Sequence, residues 1–263
     1  MEPIRVVVHG VLGRMGQQVL ATVCGEADLQ PAGGADAAAE PGSLPLPDGS
    51  GAVPLSNTLE DVLDGAQVVV DFTNAEDASS VMRVASARKV NVVIGSTGLT
   101  DANMAEAENL AQEHQVGIVI APNFALGAVL MIHLAEVAAR FFDYAELTEV
   151  HHEAKIDAPS GTALAIARAA VAGKGGKFTA PKAEKEVLPG TRGGVLEGIS
   201  IHSGRMPGLV AHHERVFGTL GQTLTIRHDS INRESFMPGV IMAIHEAVKG
   251  PGLTVGLDKI MGL

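Results

Sequence analysis

A glycine-rich turn near the N-terminus restricts the fold of this chain more than any other segment. The apolar run at residues 4–9 leads directly into Gly10, Gly13 and Gly16, and a helical pattern follows over residues 14–24. Glycines between a strand and a helix let backbone N–H groups approach a pyrophosphate, and the helix N-terminus adds partial positive charge. The spacing G-x-x-G-x-x-G differs from the usual G-x-G-x-x-G, and a tight turn alone could also use it. With its flanking strand and helix, the turn predicts a dinucleotide-binding unit.

The first half of the chain repeats this alternation of short apolar runs and Ala-rich segments. The runs are apolar on both faces, as in a buried parallel sheet, because crossover helices cover both sides of such a sheet. The further predicted strands are residues 67–72, 90–95 and 117–121, and the further predicted helices are residues 76–87 and 101–114. The Pro-, Gly- and Ser-rich segment 37–57 is predicted to be a loop.

The second half changes character, because predicted strands follow one another without helices between them. Its predicted elements are a helix at 126–141, a run at 145–152, a helix that opens near Ser160, a long loop at 172–194, strands at 196–202, 209–217 and 223–228, and a helix at 235–248. Consecutive strands favour a separate α+β unit with an open antiparallel or mixed sheet.

Small and polar residues follow the predicted parallel strands at their carboxyl ends, where open α/β sheets bind ligands. Asp36 lies roughly 20 residues after the glycine turn, where an acid would contact the ribose hydroxyls of a dinucleotide. An ordinary loop acid is the alternative at that position. The other segments of this kind are residues 71–73, 95–98 and 121–124. Turn chemistry also favours these residue types, but their repetition at three strand ends fits the path of a nicotinamide mononucleotide.

Charge and cysteine content exclude several classes of partner. The formal net charge is −11. The resulting negative field repels nucleic acid and anionic lipid, so neither is expected as a partner. Cys24 is the only cysteine, which rules out an intrachain disulfide and a cysteine-based metal site. Because the N-terminus lacks the basic and apolar regions of a signal peptide, we expect a cytoplasmic protein, or an organellar one whose transit peptide has been removed.

Residues 151–163 gather titratable groups next to a predicted helix start. His151, His152 and Lys155 fall within five positions, just before Pro-Ser-Gly-Thr opens the helix. The N–H groups of a helix N-terminus form a carboxylate site. Lys155 and one histidine could hold a second carboxylate or deliver a proton, and the other histidine is a candidate general acid.

Other interpretations of this cluster remain open. Solvated surface histidines followed by a routine helix cap would give the same pattern. No metal is predicted, because H-E-x-x-H is missing and adjacent histidines on a strand point to opposite faces. The second pair, His212 and His213 followed by Glu214, has neither a helix start nor a lysine beside it and is interpreted as structural.

Five segments, in the same order along the chain, resemble the dihydrodipicolinate reductases of the diaminopimelate and lysine pathway. They are residues 8–16, 71–73, 95–98, 122–124 and above all 151–163, where K-x-D-A-P-S-G-T-A is highly specific. The resemblance covers nearly the whole chain. It implies an α/β protein with a Rossmann-like parallel-sheet dinucleotide-binding domain over 1–124 and 234–263. A central α+β domain over 125–233, with an open mixed sheet, would bind substrate and form a homotetramer.

The resemblance also implies an activity and a set of site residues. The activity is the NADH- or NADPH-dependent reduction of 4-hydroxy-tetrahydrodipicolinate, or of the dihydrodipicolinate formed from it, to tetrahydrodipicolinate. The substrate would therefore be a small dicarboxylate cyclic imine. His151 and Lys155 would be the catalytic proton-donor candidates, and His152, Gly161 and Thr162 would bind substrate. The implied cofactor-binding residues are Gly10, Val11, Leu12, Gly13, Arg14, Met15, Asp36, Gly95, Ser96, Thr97, Ala121, Pro122, Asn123 and Phe124.

One departure from the family pattern concerns the choice of cofactor. Many members place an arginine directly after the ribose-binding acid, where it can meet a 2′-phosphate, whereas Ala37 follows Asp36 here. A carboxylate without a basic neighbour repels a phosphate, so the sequence favours NADH. Arg14 in the glycine turn could still reach a 2′-phosphate.

Two other functions are consistent with the same residues. One is a different nicotinamide-dependent dehydrogenase on this scaffold, for example one that acts on an amino acid semialdehyde. The other is a dinucleotide-sensing protein without turnover. Loss of the titratable cluster would be expected in a sensor, and this chain retains it.

Overall fold

The computed structural model describes residues 2–263, which form two compact units. One unit runs to Phe124 and resumes over Phe236–Gly262, and the other comprises Ala125–Ser235. Within the described chain, no helix is both long and apolar enough to span a bilayer.

The first unit consists of an eight-stranded sheet and several α-helices. Numbered in chain order, its strands are β1 Ile4–His9, β2 Leu29–Ala35, β3 Gly42–Pro45, β4 Ala52–Ser56, β5 Val68–Asp71, β6 Asn91–Ile94, β7 Gly117–Ile120 and β13 Gly252–Val255. Its helices are α1 Arg14–Gly25, α2 Ala75–Ala87, α3 Asp101–His114, α6 Met237–Ala247 and α7 Leu257–Met261. The strand order is β13-β7-β6-β5-β1-β2-β4-β3, and every neighbouring pair is parallel except β3 with β4. This is the Rossmann-like sheet that the alternating pattern predicts.

The central strands of this sheet are buried on both faces. All four residues of β5 are buried, and Val6, Val7 and Val8 of β1 are fully inaccessible. Continuous apolar runs are therefore required here, because helices cover both sides of the sheet.

The prediction of a loop over residues 37–57 is wrong. β3 and β4 form an antiparallel pair in this segment, and β4 continues the sheet parallel to β2. Pro45 and Pro54 lie within these two strands and conceal the pattern, because proline cannot donate to a ladder and is normally scarce in strands. The pairing is set by the edge of the existing sheet rather than by local propensity.

The second unit contains a five-stranded mixed sheet and two helices. Its strands are β8 Tyr144–His151, β9 Gly194–Leu196, β10 Ile199–Arg205, β11 Ala211–Thr219 and β12 Gln222–Ser230, and its helices are α4 Leu126–Ala139 and α5 Gly161–Lys174. The order is β12-β11-β8-β10-β9, with β8 and β10 parallel and the other pairs antiparallel. The mixed sheet was predicted, and so was the long stretch without strand or helix before β9.

One face of this sheet packs against the Ala-rich helices α4 and α5. Gly173 of α5 lies so close to α4 that an added Cβ would be 2.7 Å from the backbone carbonyl carbon of Glu136. Alternate residues of β8 point to this packed face, so the periodicity of two that buries Leu147 also buries Glu149 and His151. Two polar side chains are thus placed at the end of an apolar core.

Candidate cofactor and substrate sites

The glycine turn of the first unit has the geometry of a dinucleotide-binding loop. Gly10 has φ +75°, and its N–H donates to the Ala35 carbonyl at 2.8 Å. A Cβ on Gly16 would lie 2.7 Å from the carbonyl carbon of Gly10 and from the Cα of Val11, so only glycine allows α1 to start this close to β1. No described side chain caps α1, which leaves its N-terminal N–H groups for a ligand. These features fit the pyrophosphate of a nicotinamide dinucleotide.

Asp36 follows β2 and lies beside this turn. Its Oδ2 accepts from the N–H of Leu12 at 3.0 Å, and its Oδ1 accepts from the N–H of Ala38 at 3.0 Å. Each carboxylate oxygen keeps a further lone pair for a ribose hydroxyl. The structure therefore brings together two of the predicted cofactor elements, the glycine turn and the acid.

A cavity of about 510 Å³ adjoins Asp36. Its lining residues are His9, Gly10, Asp36, Ala37, Asn57, Thr58, Leu59, Glu60, Thr73, Asn74, Asp77, Ser80, Val81 and Val84. Three of them are carboxylates, and none of these described lining residues is a lysine or an arginine. The described lining of this cavity is therefore acidic.

The carboxylate of the strand-end segment 71–73 is buried and organises the neighbouring strand ends. Asp71 is fully buried at the end of β5. Its Oδ1 lies 2.7 Å from Nδ1 of His9 and accepts from Thr73 Oγ1 at 2.7 Å, and its Oδ2 accepts from Ser96 Oγ at 3.1 Å. Asp71 thus links the ends of β1, β5 and β6, and Ser96 has this contact in addition to its predicted place in the cofactor site.

The other predicted cofactor residues also lie at the carboxyl ends of parallel strands. Gly95, Ser96 and Thr97 follow β6, and the segment from Ala121 follows the adjacent strand β7. The ring of Phe124 packs against that of Phe72, which follows β5, with centroids 5.4 Å apart. These positions form a continuous edge of the sheet across three neighbouring strands.

In the second unit, His151 belongs to a buried polar cluster that spans three strands. Its Nδ1 is hydrogen-bonded to Oε2 of Glu149, two residues earlier on β8. Arg205, paired in register with His151, donates from Nη2 to Glu149 Oε1 at 3.0 Å and from Nη1 to Oε2 at 3.1 Å. His213 of β11 is paired with Glu149, and its ring centroid lies 5.3 Å from that of His151.

The electrostatics of this cluster fix two charge states. Burial by itself would raise the pKa of Glu149, but hydrogen bonds from His151, Arg205 and Ser203 lower it to about 2, so Glu149 is ionised. Burial, together with the nearby charge of His151, lowers the pKa of His213 to about 4, so His213 is neutral near pH 7.

His213 also connects the cluster to the start of α5. Its Nε2 lies 3.1 Å from Ser160 Oγ, and Ser160 caps the helix by accepting from the N–H of Ala163 at 3.1 Å. Gly161, the first helical residue, is exposed, and a Cβ there would meet nothing within 4 Å. The predicted carboxylate site at Gly161 and Thr162 therefore begins directly beside the histidine cluster.

The remaining predicted residues lie outside the buried cluster. His152 is exposed and follows the last residue of β8. Lys155 is half-buried, and its Nζ donates to Asp157 Oδ1 at 2.6 Å. That hydrogen bond is the largest contribution that lowers the pKa of the Asp157 carboxyl.

Glu149, His151 and His213 offer ligand atoms within 4.8 Å of one another, as a metal site would. Both oxygens of Glu149, however, already accept hydrogen bonds from the cationic Arg205. A divalent cation would have to displace that arginine and would be repelled by it. We therefore assign the three residues to a buried polar cluster and not to a metal centre.

Sequence analysis did not identify Glu149, Arg205 or His213 as parts of this site. Glu149 carried a usable signal, because a residue two positions before His151 on a strand shares its face. Arg205 and His213 carried none, because their proximity depends on which strands pair with β8. His213 has no step in the reaction proposed below, and its interpretation as structural stays a prediction.

The depressed pKa of His213 predicts a loss of stability in acid. Between pH 6.5 and pH 4 the unfolded chain binds a proton at this histidine that the folded chain does not. Stability is therefore fully present above pH 6.5 and falls by about 3 kcal/mol as the pH drops to 4. Urea unfolding at several pH values measures this, with His213→Gln as the comparison. Between pH 6.5 and pH 4, we expect the free energy of unfolding to fall less steeply with decreasing pH in the variant than in the wild type. Equal slopes would refute the low pKa of His213.

Two family models together match almost the whole chain. One, described as dihydrodipicolinate reductase, N-terminus, matches residues 4–124, and the other, dihydrodipicolinate reductase, C-terminus, matches residues 127–261.

Curated proteins and solved structures agree with these matches. A 4-hydroxy-tetrahydrodipicolinate reductase of Dehalococcoides mccartyi is 50% identical, with 100% of each chain covered. One from Moorella thermoacetica is 42% identical, with 98% of each chain covered. A dipicolinate-bound dihydrodipicolinate reductase from Paenisporosarcina sp. TG-14 superposes with a TM-score of 0.86 at 37% identity, covering 98% of this chain and 99% of that one.

Proposed function

The chain belongs to the dihydrodipicolinate reductase family and is an NAD(P)H-dependent 4-hydroxy-tetrahydrodipicolinate reductase of lysine and diaminopimelate biosynthesis, and from this premise we propose which of its residues carry out the reaction. His151 and Lys155 are the two candidate proton donors of our proposal. The observation that carries it is the buried Glu149–His151 pair beside the start of α5.

Loss of water from 4-hydroxy-tetrahydrodipicolinate gives dihydrodipicolinate, a conjugated cyclic imine, and reduction of that imine adds one hydride and one proton. NAD(P)H held at the glycine turn would supply the hydride. As it reaches one end of the conjugated imine, negative charge develops toward the nitrogen end, and a positioned acid neutralises that charge. His151 or Lys155 provides the proton, an effect that contributes about 10²–10⁴ in rate.

Substrate orientation depends on the two carboxylates of the ring. One is bound by the N–H groups of Gly161 and Thr162 at the start of α5, where the helix dipole favours negative charge. His152, exposed at the end of β8, contributes to binding from the side opposite His151. Lys155 is the nearest lysine in sequence and can pair with a carboxylate or deliver the proton.

We propose that NADH is the preferred cofactor. Asp36 faces the ribose, and Glu60 and Asp77 add negative charge to the same cavity. A 2′-phosphate would enter this cavity against three carboxylates, whereas a ribose hydroxyl can donate to Asp36. The cofactor-binding residues of the proposal are those at the glycine turn, Asp36, and the ends of β6 and β7.

Introducing a cation beside Asp36 should improve the use of NADPH. In Ala37→Arg, the new guanidinium can pair with the 2′-phosphate, so KM for NADPH is expected to fall roughly five- to tenfold while KM for NADH changes less than threefold. Ala38→Arg is the matched control, because Ala38 is exposed but does not line the cavity. Equal gains in both variants would show a general charge effect and contradict the proposed position of the phosphate.

We also propose a homotetramer assembled through the second unit, and action in the cytoplasm. The family resemblance supports the first, and the presence of a single cysteine is compatible with a reducing compartment. Light scattering coupled to size-exclusion chromatography measures the assembly, and a monomeric mass at micromolar concentration would contradict it.

The decisive assay follows oxidation of NADH and NADPH in parallel with freshly made 4-hydroxy-tetrahydrodipicolinate. Substrate-dependent oxidation is expected, faster with NADH at equal subsaturating concentration. An amino acid semialdehyde is tested beside it, and activity on that compound alone would contradict the assignment. Cofactor binding without consumption of either compound would favour a sensor.

A further inference from the structure

His151 is held by groups from both strands that flank β8. Glu149 precedes it by two positions, so both side chains point to the packed face of the sheet, and both are buried. Arg205 lies at the end of β10 in register with His151, and its side chain reaches across to Glu149. None of the steps proposed above uses Glu149 or Arg205.

The contacts of Glu149 determine which nitrogen of His151 carries a proton. An ionised carboxylate can only accept hydrogen bonds, so Nδ1 of His151 must be the donor in their contact. In the neutral ring the proton therefore resides on Nδ1, and Nε2 is the atom that exchanges a proton with the substrate. If the ring of His151 were flipped so that Nε2 faced Glu149, Nδ1 would be the atom left to exchange a proton with the substrate.

Arg205 links this pair to the segment that carries Lys155. Beyond its two bonds to Glu149, its Nη2 donates to the backbone carbonyl of Asp157 at 2.6 Å. The carboxylate of Asp157 in turn accepts from Lys155 Nζ at 2.6 Å. One guanidinium thus contacts the carboxylate that orients His151 and the residue that pairs with Lys155.

The other groups that face His151 bring no additional charge. His213 approaches from β11 and is neutral near pH 7, and Ser160 from the start of α5 is a hydroxyl bonded to His213. The charges next to His151 are therefore those of Glu149 and Arg205. Buried charges of this kind are costly to maintain unless they are paired.

We propose that Glu149 and Arg205 are positioning residues for proton transfer. Glu149 fixes the orientation and the tautomer of His151, and Arg205 holds Glu149 in place while anchoring the Asp157–Lys155 segment. This proposal rests on the proposed function of His151 as a proton donor. Neither Glu149 nor Arg205 contacts the substrate in it.

Glu149→Gln tests the carboxylate with little change in shape. We expect kcat to fall between ten- and a hundredfold, with KM for substrate and Kd for NADH within threefold of the wild type. The tautomer of the His151 ring should change too. In the wild type, the ¹⁵N NMR signals of the ring should show the Nδ1–H tautomer, and in the variant, whose amide can either donate or accept, they should show a mixture of both tautomers. A purely structural role would lower activity without changing the tautomer.

A double-mutant cycle with His151→Gln isolates the route by which Glu149 acts. If Glu149 acts through His151, the double variant is no more than threefold slower than His151→Gln alone. Losses that multiply in the double variant, or a Glu149→Gln variant with wild-type kcat and a wild-type ring tautomer, would overturn the positioning role.

The same double-mutant cycle is then run with Arg205→Lys. This substitution keeps the positive charge but loses the pair of hydrogen bonds that the guanidinium donates to Glu149. It also replaces Glu149→Gln if that variant fails to fold, as judged by circular dichroism and NADH binding. We again expect a reduced kcat that does not add to the loss in His151→Gln. Wild-type turnover by His151→Gln would instead reject the proposed donor itself, which separates failure of the function from failure of this proposal.

Discussion

Gly16→Ala is expected to weaken NADH binding roughly a hundredfold and to lower the free energy of unfolding by about 1–3 kcal/mol. The added Cβ would sit 2.7 Å from the Gly10 carbonyl carbon and from the Cα of Val11, closer than real Cβ contacts allow. Helix α1 must then move away from the turn, and its N-terminal N–H groups lose their aim at the pyrophosphate. Isothermal titration with NADH and urea unfolding measure the two effects.

Gly25→Ala is the matched control on the same helix. A Cβ at Gly25 meets nothing within 4 Å, so this variant should bind NADH normally and gain about 0.5–1 kcal/mol of stability. Wild-type affinity in Gly16→Ala would show that the close crossing of α1 and β1 is dispensable, and that the glycine turn is not the pyrophosphate site.

His151→Gln and Lys155→Ala are each expected to lower kcat by about 10²–10⁴, the contribution of a positioned acid. Both residues lie in the second unit, whereas the glycine turn, Asp36 and their cavity lie in the first. Kd for NADH should therefore remain within twofold of the wild type. Stopped-flow measurement of NADH oxidation at saturating substrate separates this loss from any change in KM.

His114→Gln controls for the loss of a histidine as such, because His114 lies at the end of α3, away from either proposed site. Its kcat should match the wild type. Unchanged turnover in both His151→Gln and Lys155→Ala would remove these residues from the reaction. A loss in only one of them would identify that residue as the proton donor.

The extent to which sequence predicts this molecule differs between its two sheets. In the parallel sheet, runs such as β5 are apolar on both faces because helices cover them, and this local cause leaves a local signal. β3 and β4 left no such signal, because their prolines contradict strand propensity and only the neighbouring β2 specifies the pairing.

The candidate sites show the same division. His151 and Lys155 could be identified because they share one short segment with the helix start at Ser160. Arg205 could not, because its relation to Glu149 arises from the parallel pairing of β8 with β10, and α5, a long irregular stretch and β9 separate these two strands in sequence. Charge states were equally inaccessible, since the low pKa of His213 comes from burial by elements distant in sequence.

The split of the first unit around the second has a consequence for biosynthesis of the protein. β7 must wait for its partner β13 until the whole of Ala125–Ser235 has left the ribosome. The second unit is continuous in sequence and can therefore finish folding on the nascent chain before the earlier one does. Until then β7 presents an unpaired strand edge, a template for wrong pairing with other chains. Slow translation through residues 125–235 would lengthen that exposure, and chaperone demand should peak just before β13 emerges.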